Sequence, residues 1–187
     1  MIKPLKEIKS EDHTVWMTQP SDVEEFIKKR ETAFNIAKGK LADTNNIEIV
    51  MQTAEAFGRG LFAEHIKDKP KEWTMQQWLE TMAEQIFNPL GEGATFTKIT
   101  EDEASSKVFR CLLHEDAGDP HMASLFNYGV MRGVFLSAFP DGEVVVESTM
   151  AEGAPMTEFI FKINATGEDR EERERMKNLF TTMKKEQ

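Results

Sequence analysis

Apolar residues recur at helical spacing through the first half of the chain. One stripe runs from Val23 to Leu41, a second from Ile47 to Phe62 and a third from Trp78 to Ile86, each at intervals of three and four residues. This spacing places the apolar side chains on one face of an α-helix. The pattern predicts three amphipathic helices, and the third ends at Asn88-Pro89 because proline cannot continue a helix.

Two capping boxes mark predicted helix starts. Ser21 is followed three residues later by Glu24, and Thr74 by Gln77. In such a box the hydroxyl and the carboxyl or amide side chain each satisfy a free backbone N–H at the beginning of a helix. We expect the first helix to begin at Ser21–Glu24 and the third at Thr74.

The helical spacing of apolar residues ends at Gly91 and Gly93. Residues 94–99 and 107–113 are short segments rich in Val, Phe and Thr, which is typical of strands. Asp119-Pro120 then supplies a capping acceptor followed by proline at the first helical position, so a long helix is predicted from there to Pro140.

A hairpin and a last helix complete the pattern. Residues 143–150 and 156–163 alternate between apolar and polar side chains on either side of a short connection, which predicts two antiparallel strands. Thr166 and Asp169 form a capping pair ahead of a final, highly charged helix.

Strands that come in pairs with short turns favour an antiparallel sheet. The predicted fold class is therefore α+β, with N-terminal helices, two strand pairs around a long central helix, and a C-terminal helix. The predicted organisation is an N-terminal arm over residues 1–20, a single α+β domain over 21–165, and a helix over 166–187 that packs on the domain or extends from it.

Composition narrows the class of partner. The 187 residues are 40% hydrophobic, and 23 Lys and Arg against 33 Asp and Glu give a net charge of −10. This charge argues against nucleic acid or an anionic membrane as partner, and the apolar runs are shorter than a membrane span requires. One cysteine cannot form an internal disulfide, and the opening residues lack a secretion signal. We expect a soluble, acidic, cytoplasmic protein.

The apolar interior has an unusual make-up. Eleven Met and 13 Phe stand against one Tyr, which suits core packing and would also suit a pocket for a small apolar ligand. The second and fourth helices carry more apolar residues than one small sheet is expected to cover. A homodimer is therefore also expected.

The densest chemical group lies between a predicted strand and the long helix. His114, Asp116 and His121 could hold a divalent metal, since imidazole and carboxylate are ligands that zinc or iron accepts. The same residues could act as an acid–base pair. The alternative is that Asp119 caps the helix and the others form a solvated acidic turn.

Polar residues on the predicted hairpin form a second group. Glu147 and Thr149 share one strand face, and Thr157 and Glu158 lie on the partner strand. If these side chains point inward, a buried carboxylate becomes a candidate general base; if outward, they are ordinary strand residues.

Cys111 and two glycines have simpler interpretations. An isolated cysteine in an apolar strand is usually inert, with a nucleophilic role as the alternative. Gly129 and Gly133, four residues apart on the long helix, allow the close approach of another backbone from the facing sheet or a helix.

The second half of the chain resembles a known family. Val108–Cys111, Gly118–Pro120 with the helix to Gly133, and Glu147–Phe159 resemble, in order and spacing, the L-2-amino-thiazoline-4-carboxylic acid hydrolase family. The resemblance covers about residues 25–165. Two of the family's usual cysteines are missing, and Thr157 and Asn127 stand at or near their positions. The family looks related to vinyl-reductase-type small-molecule-binding domains.

The resemblance implies a hydrolase acting on C–N bonds other than peptide bonds, with a small, polar, cyclic amidine or amide as substrate. The candidate catalytic residues are Cys111, His114, Glu147 and Glu158. The candidate substrate-binding residues are Asn127, Tyr128, Met131, Thr149 and Thr157. No cofactor is required beyond a possible divalent metal. The alternative function is a non-catalytic small-molecule-binding or dimerising module of the same fold.

Overall fold

The computed structural model describes residues 3–9, 14–113 and 118–185 and has the predicted α+β class. Its helices are α1 (Glu24–Thr44), α2 (Glu48–His65), α3 (Met75–Met82), α4 (Pro120–Ala138), α5 (Gly167–Arg170) and α6 (Glu172–Lys185). Its strands are β1 (Leu5–Lys9), β2 (Thr14–Thr18), β3 (Gly93–Ile99), β4 (Glu103–Arg110), β5 (Glu143–Ser148) and β6 (Thr157–Lys162). A π-helical turn, Ala83–Phe87, extends α3, and a 3-10 turn, Met150–Glu152, lies in the connection from β5 to β6.

All six strands form one antiparallel sheet in the order β1-β2-β3-β4-β6-β5. The sheet begins earlier than the sequence pattern predicts, because strands β1 and β2 occupy the segment that was expected to be an arm. Leu5 is buried in the core, and Trp16 lies opposite Phe96 of β3. This short, charged segment buries too few side chains to show an alternating pattern.

The predicted strand over 107–113 is displaced in the structure. Strand β4 begins at Glu103 and ends at Arg110, so Cys111 lies just beyond the strand. The predicted hairpin is present as β5 and β6, with Val146 opposite Phe159.

Helix capping follows the sequence at three of four positions. Thr74 and Gln77 form their capping box, Thr166 and Asp169 form theirs, and Asp119 accepts from the N–H of Met122. The box predicted at Ser21 is wrong. Helix α1 begins at Glu24 without a side-chain cap, because the N–H groups of Ser21 and Val23 donate to the carbonyls of Asn88 and Pro89.

Helices α2 and α4 pack with their backbones in contact. A Cβ atom on Gly58 would lie 2.3 Å from the carbonyl oxygen of Val130, and one on Gly133 would lie 2.3 Å from that of Glu55. The predicted close approach at Gly133 is confirmed, and its partner is helix α2. The apolar surfaces of α2 and α4 therefore cover each other within one chain, which removes the reason given for expecting a dimer.

Aromatic rings fill the space between α4 and the β5–β6 hairpin. Trp78 of α3 lies 5.0 Å from Phe135 of α4 and 5.1 Å from Phe161 of β6, measured between ring centroids. Phe135 and Phe161 are 5.3 Å apart. The ligand pocket expected at this place is thus occupied by the protein's own core.

Helix α6 is attached to the body of the protein by two apolar side chains, Met176 and Phe180, both buried. None of the helices in the described ranges is long and apolar enough to cross a bilayer.

Candidate functional site

The predicted metal site is only partly visible. His114 and Asp116 lie outside the described residues, so the structure does not test their roles. His121 sits in the first turn of α4 and is partly buried. Over residues 3–9, 14–113 and 118–185, no group of three or more His, Cys, Asp or Glu side chains could hold a metal ion.

The hairpin carboxylates point away from the core. Glu147 is exposed, and Glu158 forms a 3.1 Å ion pair with Lys107, its direct cross-strand neighbour on β4. Of the two orientations considered, the outward one is observed for these two carboxylates, whereas Thr149 and Thr157 are buried. Glu147 and Thr149 therefore do not share a face, because β5 ends at Ser148, between them.

Thr149 and Thr157 are buried where the hairpin connection closes. The N–H of Met150 donates to Oγ1 of Thr157 at 3.3 Å, and the carbonyl of Thr149 accepts from the N–H of Glu152. Met131 is a core residue of α4. In the structure these three side chains lie in the packed interior and shape the hairpin and helix α4.

Cys111 and Asn127 do come together, around a residue that the sequence analysis missed. The thiol of Cys111 and the side-chain amide of Asn127 both hydrogen-bond to the buried carboxylate of Glu92, which directly precedes β3. Arg30 of α1 reaches the same carboxylate, with Nη1 3.5 Å from Oε1, and its Nη2 donates to the carbonyl of Leu90 at 3.2 Å. We call Arg30, Glu92, Cys111 and Asn127 the buried polar cluster.

Burial dominates the electrostatics of this cluster. Arg30 and Glu92 are each 1% exposed. Desolvation raises the pKa of Glu92 above its ordinary value, against the opposing effects of the Arg30 charge and the hydrogen bonds from Cys111 and Asn127. Nε of Arg30, Oε2 of Glu92 and Oδ1 of Asn127 have no hydrogen-bond partner among the described residues.

A cleft of about 160 Å³ opens beside the cluster, between α1 and the residues that follow β4. We call it the α1 cleft. Its lining consists of Ile27, Arg30, Glu31, Phe34, Asn35, Lys38, Leu112 and Leu113. Arg30 thus connects the buried polar cluster to an open concave surface.

The position of Arg30 in the sequence indicates that its side chain is buried. It lies four residues after Phe26 and four before Phe34, on the apolar stripe of the first helix. A charged residue in such a stripe must be buried with the core face. Glu92 stands between two glycines, where periodicity gives no information.

Tyr128 belongs to a different cluster, which we call the ion network. Arg132 of α4 pairs with Glu143 and Glu55, and Arg173 of α6 pairs with Glu55 and Glu48. Burial raises the pKa of Tyr128 well above its ordinary range, and nearby Glu143 adds to the effect. The hydroxyl has no hydrogen-bond partner within the described chain. The predicted substrate-binding residues are therefore divided between separate parts of the molecule.

The opposite side of α1 borders a shallow surface groove against α2. We call this the α1–α2 groove. Its lining consists of Glu25, Lys28, Lys29, Thr32, Ala33, Ile36, Phe57, Gly60, Leu61 and Glu64. Ile36, the last α1 residue of this lining, is 48% exposed, more than any other large hydrophobic residue that the structure describes.

The fold is an α+β domain with helices against an antiparallel sheet, and comparisons indicate which proteins share it. Neither the family models nor the curated proteins contain a match to this chain. Among solved structures, the fold is similar to the crystal structure of a trafficking protein particle complex subunit 3 from Naegleria fowleri covalently bound to palmitic acid. The identity is 15%, the TM-score is 0.54, and the match covers 74% of this chain and 95% of that one.

These findings overturn the family resemblance suggested by the sequence. The structural neighbour is a trafficking-complex subunit, so the assignment to the L-2-amino-thiazoline-4-carboxylic acid hydrolase family is wrong. The predicted hydrolase function, which depended on that assignment, is wrong as well. The alternative, a binding module of that family's fold, is wrong for the same reason. The segments that carried the resemblance lie at the end of β4, in helix α4 and in the β5–β6 hairpin, and their apolar residues belong to the core of this protein.

Proposed function

We propose that this chain is a subunit of a multi-protein assembly that acts in vesicle trafficking. The observation that carries the proposal is the similarity of fold to a trafficking protein particle complex subunit 3 over almost the whole length of that protein. Fold alone does not determine function, and the proposal rests on analogy with that protein. The proposal includes a location on the cytoplasmic side of the trafficking pathway.

The α1–α2 groove supports the proposal as the surface that binds a neighbouring subunit. A half-exposed Ile36 beside Ala33, Phe57 and Leu61 makes an apolar strip along the antiparallel helices α1 and α2. Apolar area buried between subunits contributes roughly 25 cal/mol per Å². Contact with a neighbouring subunit at this groove accounts for the exposed side chain of Ile36.

Charges at the edges of the groove favour a helical partner. Lys28 and Lys29 lie along α1, and Glu64 lies on α2, with Lys29 and Glu64 paired at 2.7 Å. Such charges flanking an apolar strip match the pattern of an amphipathic helix laid into the groove.

The experiment compares assembly of the wild-type chain with that of Ile36→Glu. Each is expressed at native level in its own host, and the size and composition of its complexes are measured by sedimentation and mass spectrometry. Ile8→Glu is the matched control, because Ile8 is also partly exposed but lies on β1, outside the groove.

We expect a stoichiometric complex that contains trafficking proteins, is lost in Ile36→Glu and persists in Ile8→Glu. A wild-type chain that sediments as a monomer under these conditions would overturn the proposed function. A complex that survives Ile36→Glu would instead show that another surface holds the neighbouring subunit.

A further inference from the structure

The α1 cleft lies on the side of α1 away from the α1–α2 groove, and the proposed subunit contact leaves it uncovered. Ile27, Arg30, Phe34 and Lys38 repeat at three- and four-residue spacing along α1 and form one wall, and Leu112 and Leu113 contribute to the other. The volume of about 160 Å³ equals that of roughly five water molecules in the liquid. The cleft therefore has room for one side chain rather than for a helix.

Arg30 is a cation that the protein leaves incompletely satisfied. Its guanidinium is 1% exposed, Nε has no hydrogen-bond partner among the described residues, and the contact to Glu92 is a single one of 3.5 Å. A buried guanidinium normally engages its donors in short, often two-point contacts with a carboxylate. The single long contact to Glu92 therefore leaves part of the Arg30 charge uncompensated.

The remaining lining combines apolar and cationic groups. Phe34 and Leu113 are buried side chains whose surfaces border the cleft, and Nζ of Lys38 lies 4.8 Å from the centre of the Phe34 ring. Glu31 supplies negative charge, against the two cations Arg30 and Lys38. The lining therefore favours an anion attached to an apolar segment.

We propose that the α1 cleft receives the carboxylate of an aspartate or glutamate, flanked by apolar residues, from a peptide segment of a protein partner. The carboxylate-bearing side chain enters the cleft, engages the ammonium group of Lys38 and lies beside the buried charge of Arg30. The flanking side chains contact the partly exposed residues Ile27 and Leu112 at the edge of the cleft. This inference rests on the proposed function, because it names the chemistry by which a partner subunit is recognised at a second surface.

The test uses two tripeptides with the full-length chain. The acidic probe is acetyl-Leu-Glu-Leu-amide, and the neutral control is acetyl-Leu-Gln-Leu-amide, which has the same shape without the charge. Binding is followed by NMR, as chemical-shift changes of the backbone amides on titration. Lys38→Glu tests the cation in the cleft. Lys40→Glu is the control, because it makes the same change of charge at an exposed position of α1 that does not line the cleft.

We expect the acidic probe to shift the amides of residues 27–38 and of Leu112 and Leu113, and to bind about tenfold more tightly than the neutral probe. Lys38→Glu should weaken the acidic probe by a similar factor, and Lys40→Glu should change its affinity less than about twofold. Arg30 is not substituted, because its loss would disturb the core.

Three results obtained with bound probe would overturn the inference. These are equal affinity for the two probes, shifts confined to other surfaces, and equal effects of Lys38→Glu and Lys40→Glu. Absence of binding at 10 mM probe, on the order of the weakest affinity that such a contact gives, has the same consequence. Ile36→Glu lies outside the cleft and should leave probe binding unchanged, so failure of the inference is distinguishable from failure of the proposed function.

Discussion

Arg132 of helix α4 holds Glu143, the first residue of strand β5, in a two-point ion pair. Nε and Nη2 of Arg132 donate to the two carboxylate oxygens at 2.8 and 3.0 Å, and Nη1 donates to Glu55 of helix α2 at 2.9 Å. One guanidinium thus joins the sheet to both of the packed helices. The planar fork of arginine suits this role, and lysine could not replace it.

Loss of Arg132 should destabilise the fold. In Arg132→Leu, the buried carboxylate of Glu143 loses its partner, and an unpaired buried charge costs about 3 kcal/mol or more. We expect a decrease of that size in the free energy of unfolding measured with urea. Lys28→Ala, which removes an exposed pair with Glu24, should leave this free energy unchanged. Equal effects of the two substitutions would contradict the role given to Arg132.

Glu48 should make stability depend on pH in the acid range. Hydrogen bonds from Arg173 and then Lys177 lower its pKa from 4.5 to about 2 in the folded protein. A carboxyl group with a lowered folded pKa contributes stability above its unfolded pKa, and loses that contribution as pH falls from about 4.5 to about 2.

The measurement is the difference in unfolding free energy between wild type and Glu48→Gln as a function of pH. We expect about 1 to 3 kcal/mol at pH 7, reduced from the full linkage value by solvent screening, and nearly zero at pH 2. A difference that stays constant between pH 7 and pH 2 would show that Glu48 does not titrate as described.

Arg30→Met should be costly at neutral pH and less so in acid. Burial raises the pKa of Glu92, so the folded state binds a proton more readily than the unfolded state, and stability rises as pH falls towards the unfolded pKa. Without Arg30, an ionised Glu92 is buried without its cation, at a cost of about 3 kcal/mol near pH 7.5.

Two comparisons check this prediction. The loss caused by Arg30→Met should be smaller at pH 5 than at pH 7.5, and Arg30→Met with Glu92→Gln should be more stable at pH 7.5 than Arg30→Met alone. Both are read from urea unfolding curves. A loss that does not vary with pH, together with no recovery in the double variant, would contradict the coupling between Arg30 and Glu92.

Two glycines on helix α2 should respond in opposite directions to alanine. A Cβ on Gly58 meets the carbonyl oxygen of Val130 at 2.3 Å, and backbone atoms cannot move aside cheaply, so Gly58→Ala should lose about 1 to 3 kcal/mol. A Cβ on Gly60 meets nothing within 4 Å, so Gly60→Ala should gain about 0.5 to 1 kcal/mol from helix propensity. Calorimetric melting of both variants checks the prediction, and a stable Gly58→Ala would refute the backbone contact.

Much of the helical layer was predictable from the sequence. Helices α2 and α4 bury an apolar stripe, and the caps at Thr74, Asp119 and Thr166 act within a few residues of themselves. Local signals of this kind survive in any tertiary context. Strands β1 and β2 show no alternation of apolar and polar residues in the sequence, because β1 buries only Leu5 and β2 buries only Thr18. The Ser21 capping box failed because the N–H of Ser21, which the side chain of Glu24 would have accepted, donates instead to the distant carbonyl of Asn88.

The candidate site was predictable only in pieces. Cys111 was recognised as an isolated cysteine in an apolar segment and Asn127 only through the family resemblance, and nothing local relates the two residues to each other. Arg30 and Glu92 are 62 positions apart, and their contact exists only because α1 crosses the start of β3. Glu147 and Glu158 were both recognised on the predicted hairpin, but the sequence did not determine whether their side chains point into the core or outward. The pairing of the strands places Glu158 opposite Lys107.

The amphipathic period and the local caps were enough to establish the α+β class, since both depend on interactions a few residues long. Which polar groups are buried together, which cavities are filled by aromatic rings, and which helix face is left bare depend on packing between elements far apart in the chain. Those outcomes follow from the competition of many side chains for the same interior volume, and no short stretch of residues encodes that competition.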